Sequence, residues 1–65
     1  MCLAKAYLVK DSTKELVMEE VAYIEVGQRK LVLRTIFGEQ REVAARVKQI
    51  DFASSSIFLE SEPAR

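Results

Sequence analysis

The amino-acid sequence predicts an all-β fold, a small antiparallel barrel or sandwich. Two segments, 20–26 and 30–37, are rich in β-branched and aromatic residues, and each is followed or closed by a glycine, Gly27 or Gly38. Short runs of this kind, separated by glycine and polar turns, are typical of antiparallel sheets rather than of helical bundles. With 65 residues, the chain is close to the lower size limit for a domain, so we expect a thin core.

The first predicted strand covers residues 2–10, whose apolar side chains alternate onto both faces, as in a buried strand. The polar residues 11–14 then favour a turn with a hairpin around it. Ser12 and Glu15 also match a helix capping box, which is the alternative at this point. Further along, segments 20–26 and 30–37 predict a second hairpin.

Residues 39–52 are ambiguous. Val43, Val47 and Ile50 fit the stripe of an amphipathic helix, whereas Val43, Ala45 and Val47 fit one face of a strand. Intrinsic propensity slightly favours the helix.

The chain then ends in a serine loop, a short apolar strand at 57–59 and a polar tail containing Pro63. We therefore expect one β domain over residues 1–60 and a flexible tail over residues 61–65.

Composition narrows the location and the partners. Ten basic and ten acidic residues balance, and the pI is about 6.2, so no strong field attracts the chain to nucleic acid or to an anionic membrane. No apolar run is long enough to span a bilayer, and no signal-peptide pattern opens the chain. We expect a cytoplasmic protein that does not cross a membrane.

The available chemistry favours binding over catalysis. The chain has no histidine and one cysteine, which excludes the Ser-His-Asp and Cys-His nucleophile arrangements and the zinc sites of two cysteines and two histidines. It has no glycine-rich phosphate loop. The paired carboxylates of Glu19 and Glu20 would face opposite sides of a strand, so they are read as solvated surface. We expect no enzymatic activity.

Cys2 is the candidate metal ligand. Removal of the initiator Met would leave a free amine and a thiol on Cys2, and these nitrogen and sulfur donors favour square-planar Ni(II) or Cu(II). One chain supplies too few ligands, but a two-fold homodimer would bring two Cys2 residues together. In the alternative interpretations Cys2 is a semi-buried apolar residue, or it forms an intersubunit disulfide under oxidation.

Nucleic-acid binding is the alternative function. Basic residues such as Arg34 and Lys48, together with Tyr7, Tyr23 and Phe37, would form the basic and aromatic surface that binds single-stranded nucleic acid if they shared one face. Solvated strand faces are the simpler reading of the same residues.

The sequence also resembles a known family. The opening residues 1–6, MCLAKA, the block 31–39, LVLRTIFGE, and the closing 57–59, IFL, resemble the CooT family of small nickel-binding proteins. The resemblance covers nearly the whole chain and leaves out only the tail from Ser61.

This resemblance implies a homodimer of small β-barrel-like subunits with nickel bound through Cys2. It suggests nickel trafficking, or an accessory role in the maturation of carbon monoxide dehydrogenase, which would then be the client. It also implies that residues 39–52 are extended, which gives a small antiparallel barrel-like domain of about five strands. Members of the family have also been labelled RNA-binding proteins, in line with the alternative function.

Overall fold

The computed structural model describes residues 3–61. Every element of regular secondary structure in that range is a β-strand, which confirms the predicted all-β class. The strands, in chain order, are β1 (Ala4–Lys10), β2 (Thr13–Val26), β3 (Leu31–Thr35), β4 (Gln40–Val43), β5 (Ala45–Asp51) and β6 (Ser56–Ser61).

The strands form one sheet in the order β4-β3-β2-β1-β6-β5, curled into a half-barrel. The barrel-like architecture is therefore confirmed. Neighbouring strands are antiparallel except β1 and β6, which are parallel, so the sheet is mixed where an antiparallel one was expected. A parallel pair needs a long crossover. Here the crossover is the whole chain from β2 to β5, and no local turn signal could indicate it.

The predicted first hairpin is present, with its turn at residues 11–12. Asp11 adopts a positive φ of 57°, and the hydroxyl of Thr13 donates a hydrogen bond to the carbonyl of Lys10 at 2.8 Å. An aspartate tolerates this backbone conformation better than most residues. The turn forms in place of the helix that the capping box would start. The strand β2 begins directly after this turn, at Thr13, rather than at residue 20.

A bend in β2 lets one long strand serve two partners. The first part of β2 pairs with β1 as far as Val21, and the part from Val21 onward pairs with β3. Glu20 has a φ of 57°, and the register shifts on both sides of Val21. Irregularities of this kind increase local twist and turn the sheet around a corner.

The second hairpin is confirmed, with β2 and β3 joined through residues 27–30. The N–H of Gly27 donates to the carbonyl of Lys30 at 2.8 Å. Gly38 turns the chain between β3 and β4 with a φ of 92°, a conformation that glycine adopts at no steric cost.

The ambiguous segment is extended, as the resemblance implied. Its residues form β4 and β5, with only Ala44 between them. The expected single strand is thus two, and residues 3–61 form six strands where about five were expected. The helical stripe does not form because β4 and β5 gain tertiary pairing with β3 and β6, which overrides a weak intrinsic preference.

The core lies on the inner face of the curled sheet. Its buried apolar residues come from every strand except β4: Ala6, Val21, Leu31, Leu33, Ala45, Ile57 and Leu59. Leu31, Leu33 and Leu59 are the largest fully buried side chains. Since burying one leucine contributes about 1.5–3 kcal/mol, each of these three side chains is a substantial contributor to the hydrophobic stabilisation of a thin core.

Ser61 is the last residue of β6, and residues 62–65 of the predicted tail lie outside the described residues. The prediction of a flexible tail therefore stays a prediction. Between residues 3 and 61, no helix is long and apolar enough to cross a membrane.

Candidate functional site at the N-terminal rim

Three strand ends meet at one end of the half-barrel. β1 begins there, β5 ends there and β6 begins there, because Ser56 pairs with Lys5 on one side and with Asp51 on the other. We call this end the N-terminal rim and define it as residues 3–5 and 50–57. The pairing fixes the first described residues of the chain against the turn between β5 and β6.

A cleft of about 280 Å³ lies at the N-terminal rim. Its lining is mainly apolar and includes Leu3, Ala4, Ile50, Phe52 and Ile57. Phe52 is 86% exposed and Ile50 is 46% exposed. Apolar side chains that remain exposed together on a small domain indicate an interaction surface.

Hydrogen bonds within the turn hold Phe52 in this exposed position. The Oδ1 atom of Asp51 accepts a hydrogen bond from the N–H of Ala53 at 3.0 Å and from that of Ser54 at 3.4 Å. The hydroxyl of Ser54 donates to that of Ser56 at 3.1 Å. The turn is therefore built by its own polar groups, and Phe52 projects from an ordered scaffold.

Cys2, the predicted metal ligand, lies outside the described residues, so its role stays a prediction. Leu3, the next residue in the chain, lines the cleft. In the part of the chain that the structure describes, no three side chains of His, Cys, Asp or Glu come together as a metal-binding group. The chain thus enters β1 beside an apolar cleft.

The two residues named for nucleic-acid binding lie on different strands. Arg34, in β3, stacks its guanidinium 4.5 Å from the ring centroid of Tyr23 and donates to Oε1 of Gln40 at 3.3 Å. Lys48 lies in β5 at a register shift. In the sheet order β2, β1 and β6 lie between β3 and β5, so pairing does not bring Arg34 and Lys48 side by side. The nucleic-acid alternative stays a prediction.

The structure adds an aromatic cluster that sequence reasoning did not find. Tyr7 and Phe58 stack with ring centroids 5.7 Å apart and planes inclined by 23°. The Nζ of Lys14 lies 5.6 Å from the centroid of Tyr7 and 5.3 Å from that of Phe58. The two rings meet across the parallel β1–β6 pair. Strand alternation could place Tyr7 opposite the core face, but nothing local could pair it with Phe58.

Comparisons with known proteins agree with this architecture. Residues 1–60 match the sequence profile of the CooT family, described as CO dehydrogenase accessory protein CooT. An uncharacterized protein of Methanocaldococcus jannaschii is 33% identical over 60 residues, which cover 92% of this chain and 98% of the relative.

A solved structure gives the same result. The crystal structure of "putative CooT from Carboxydothermus hydrogenoformans" is 31% identical and superposes with a TM-score of 0.88. The match covers 95% of this chain and all of that one. The overall fold is therefore shared with a relative of similar length. The chain belongs to the CooT family of CO dehydrogenase accessory proteins.

Proposed function

We propose that the chain binds nickel through Cys2 in a homodimer and acts as an accessory protein that supplies nickel during maturation of carbon monoxide dehydrogenase. The observation that carries the proposal is the match of residues 1–60 to a family of CO dehydrogenase accessory proteins. In this role the chain binds and transfers a metal ion, and it catalyses no reaction of its own.

The donor atoms of the N-terminus suit nickel. Once the initiator Met is removed, Cys2 offers a thiolate and an amine nitrogen on one residue, and such donors favour square-planar Ni(II). The described carboxylate at the rim, that of Asp51, already accepts two backbone hydrogen bonds through one oxygen. We therefore assign the ligand role to Cys2 alone among the side chains of this end.

The apolar N-terminal rim supports the proposed homodimer. A two-fold contact across the cleft would cover Phe52 and Ile50 and would place Leu3 of both copies near the symmetry axis. Because Cys2 precedes Leu3 in sequence, such a contact brings two thiols within reach of one metal ion. Burial of the rim would also add hydrophobic stabilisation that a domain of this size needs.

A nickel titration of the reduced protein tests the metal site. With Met1 confirmed absent by intact mass, we expect a thiolate-to-nickel charge-transfer band that saturates at half a nickel per chain. Saturation at one nickel per chain would favour a separate chelate in each monomer. Retention of the band in Cys2→Ala would disprove the ligand assignment.

Size-exclusion chromatography with light-scattering detection measures the molar mass in solution and so tests the dimer separately. Phe52→Asp should convert the dimer to a monomer and weaken nickel binding, because it places a charge in the covered cleft. Val26→Asp is the matched control, since Val26 is 69% exposed as the last residue of β2 and lies outside the residues that define the rim. A dimer that persists in Phe52→Asp would contradict an interface at the rim.

The proposed client is apo carbon monoxide dehydrogenase, and the proposed location is the cytoplasm, where thiols stay reduced. Mixing the nickel-loaded chain with the purified apoenzyme should restore activity without free nickel in solution. A strong chelator of free nickel should leave this transfer intact. Failure of transfer by a chain that binds nickel normally would reject the client while leaving the metal site in place.

A further inference from the structure

A row of large side chains crosses the outer face of four neighbouring strands. Leu16 of β2 pairs with Tyr7 of β1, and Tyr7 pairs with Phe58 of β6. In β5 Gln49 pairs with Phe58, and Lys48 is the extra residue at the register shift beside it. We call these five residues the outer row. Leu16 is 45% exposed, so the row presents an apolar strip on the side of the sheet away from the core.

Unpaired positive charges border the outer row. The ammonium group of Lys14 lies over both Tyr7 and Phe58, and Lys48 stands at the far end of the row. The ion pairs that the structure describes, Lys30 with Glu42 and Arg46 with Glu60, involve neither lysine. Glu60 lies on the same face, across Val9 from Lys14, but its carboxylate pairs with Arg46. Although the whole chain has no net charge, the two lysines therefore give the outer row a positive charge.

The packing of the rings determines which ligand the outer row can accept. One face of Tyr7 lies against Phe58, and across the strands Leu16 flanks Tyr7 while Lys48 and Gln49 flank Phe58. A nucleic-acid base needs an open ring face for stacking. The ammonium group of Lys14 already lies over both rings, so a stacking base would have to displace it. The row instead offers an aliphatic side chain, two partly exposed rings and ammonium groups, which complement apolar side chains and carboxylates.

We propose that the outer row is a docking surface for an acidic segment of a partner protein in which carboxylates alternate with apolar side chains. The apolar side chains of the segment lie along Leu16, Tyr7 and Phe58, and its carboxylates pair with Lys14 and Lys48. Charge complementarity supports this occupant, because a basic or neutral segment would leave both ammonium groups without partners. The proposal is independent of nickel and of Cys2.

Fluorescence anisotropy with a labelled peptide of alternating glutamate and leucine tests the proposal. We expect saturable binding that weakens as salt is raised, since exposed charges are screened. Loss of both charges in Lys14→Gln/Lys48→Gln should weaken binding by about tenfold, given the usual contribution of exposed ion pairs. The matched control Lys10→Gln/Arg29→Gln removes equal charge at exposed positions outside the row and should leave the affinity unchanged.

Three further measurements make the result decisive. A peptide with glutamine in place of glutamate should bind at least several-fold more weakly, and oligouridine should not compete. Tyr7→Ser should weaken binding of the acidic peptide while the circular dichroism spectrum stays that of the folded domain.

The proposal is overturned if the acidic peptide does not bind, or if the control double variant loses as much affinity as the Lys14/Lys48 variant. It is also overturned if oligouridine displaces the peptide, which would assign the row to nucleic acid. None of these results affects the nickel titration, so failure of the docking surface and failure of the metal site are distinguishable.

Discussion

The two faces of the β1–β6 pair place their side chains in different environments. On the inner face Ala6 and Leu59 are completely buried, whereas on the outer face Tyr7 and Phe58 remain partly exposed and stack on each other beneath Lys14. The two faces of these strands thus have different roles. Burial on the inner face stabilises the half-barrel, and the outer face keeps large side chains available for binding at little cost to stability.

Truncation of one residue on each face should give the largest difference. Leu59→Ala should destabilise the domain by about 2–5 kcal/mol, because it leaves a cavity in the core. Phe58→Ala should cost less, because Phe58 is partly exposed and its truncation leaves no closed cavity; the lost ring pair contributes about 0.5–1.5 kcal/mol of that cost. Urea unfolding followed by circular dichroism measures both values. Equal losses would mean that the outer face is part of the core after all.

A polar residue on the inner face provides the next test. Thr35 is 7% exposed, and its hydroxyl oxygen accepts hydrogen bonds from the N–H groups of Phe37 and Glu39, each at 3.2 Å. Thr35→Val should cost about 1–3 kcal/mol, because two donors in the β3–β4 turn lose their acceptor.

The matched control is Thr13→Val. The hydroxyl of Thr13 donates to a carbonyl in an exposed hairpin, so its loss should lower the free energy of unfolding by less. Thr35→Ser should retain most of the stability in thermal unfolding. If Thr35→Ser were as unstable as Thr35→Val, packing of the methyl group would explain the effect instead.

Backbone conformation gives a smaller effect whose sign depends on the residue. Gly38→Ala should destabilise by about 1 kcal/mol, because alanine is strained at a φ of 92°. No atom lies near the added Cβ, so the backbone conformation alone sets this cost. Glu20 has a φ of 57°, so Glu20→Gly relieves backbone strain in the folded state. Glycine also adds conformational freedom to the unfolded chain, which offsets part of this gain. The variant should therefore be as stable as wild type or slightly more stable. Chemical unfolding curves compare the two. Destabilisation by Glu20→Gly would show that its side chain supports the bend.

Features that depend on neighbouring residues could be predicted from the sequence, and those that depend on distant ones could not. The turns at residues 11–12 and at Gly27 and Gly38 follow from local backbone preferences. Residues 39–52 could not be decided because their apolar spacing fits both periods, and only pairing with β3 and β6 selects the strand.

The same limit applies to the candidate sites. Donor chemistry and the family resemblance made Cys2 the candidate metal ligand, which stays a prediction, but they gave no reason to expect the apolar cleft next to Leu3, since the cleft needs the β5–β6 turn beside β1. The Tyr7–Phe58 contact was missed for the same reason. Arg34 and Lys48 were named together from charge, without knowledge of the sheet order that separates their strands.

The smallest predicted effect concerns an exposed ion pair. The hydrogen bond and the charge of Glu42, with a further contribution from the charge of Glu25, raise the pKa of Lys30 above its usual 10.5. A raised pKa means that the folded state holds the proton more tightly than the unfolded state does. The resulting stabilisation is complete below pH 10.5 and disappears as the pH rises through the higher pKa of the folded state.

Thermal unfolding of Lys30→Gln against wild type at several pH values tests this sign. The melting temperature should differ slightly at neutral pH, as is usual for exposed pairs, and the two proteins should converge in strong alkali. Added salt should also reduce the difference. Lys10→Gln, which removes an exposed lysine outside both described ion pairs, is the control. A difference that grows with pH would mean that Lys30 stabilises the β2–β3 turn through its aliphatic chain rather than through its charge.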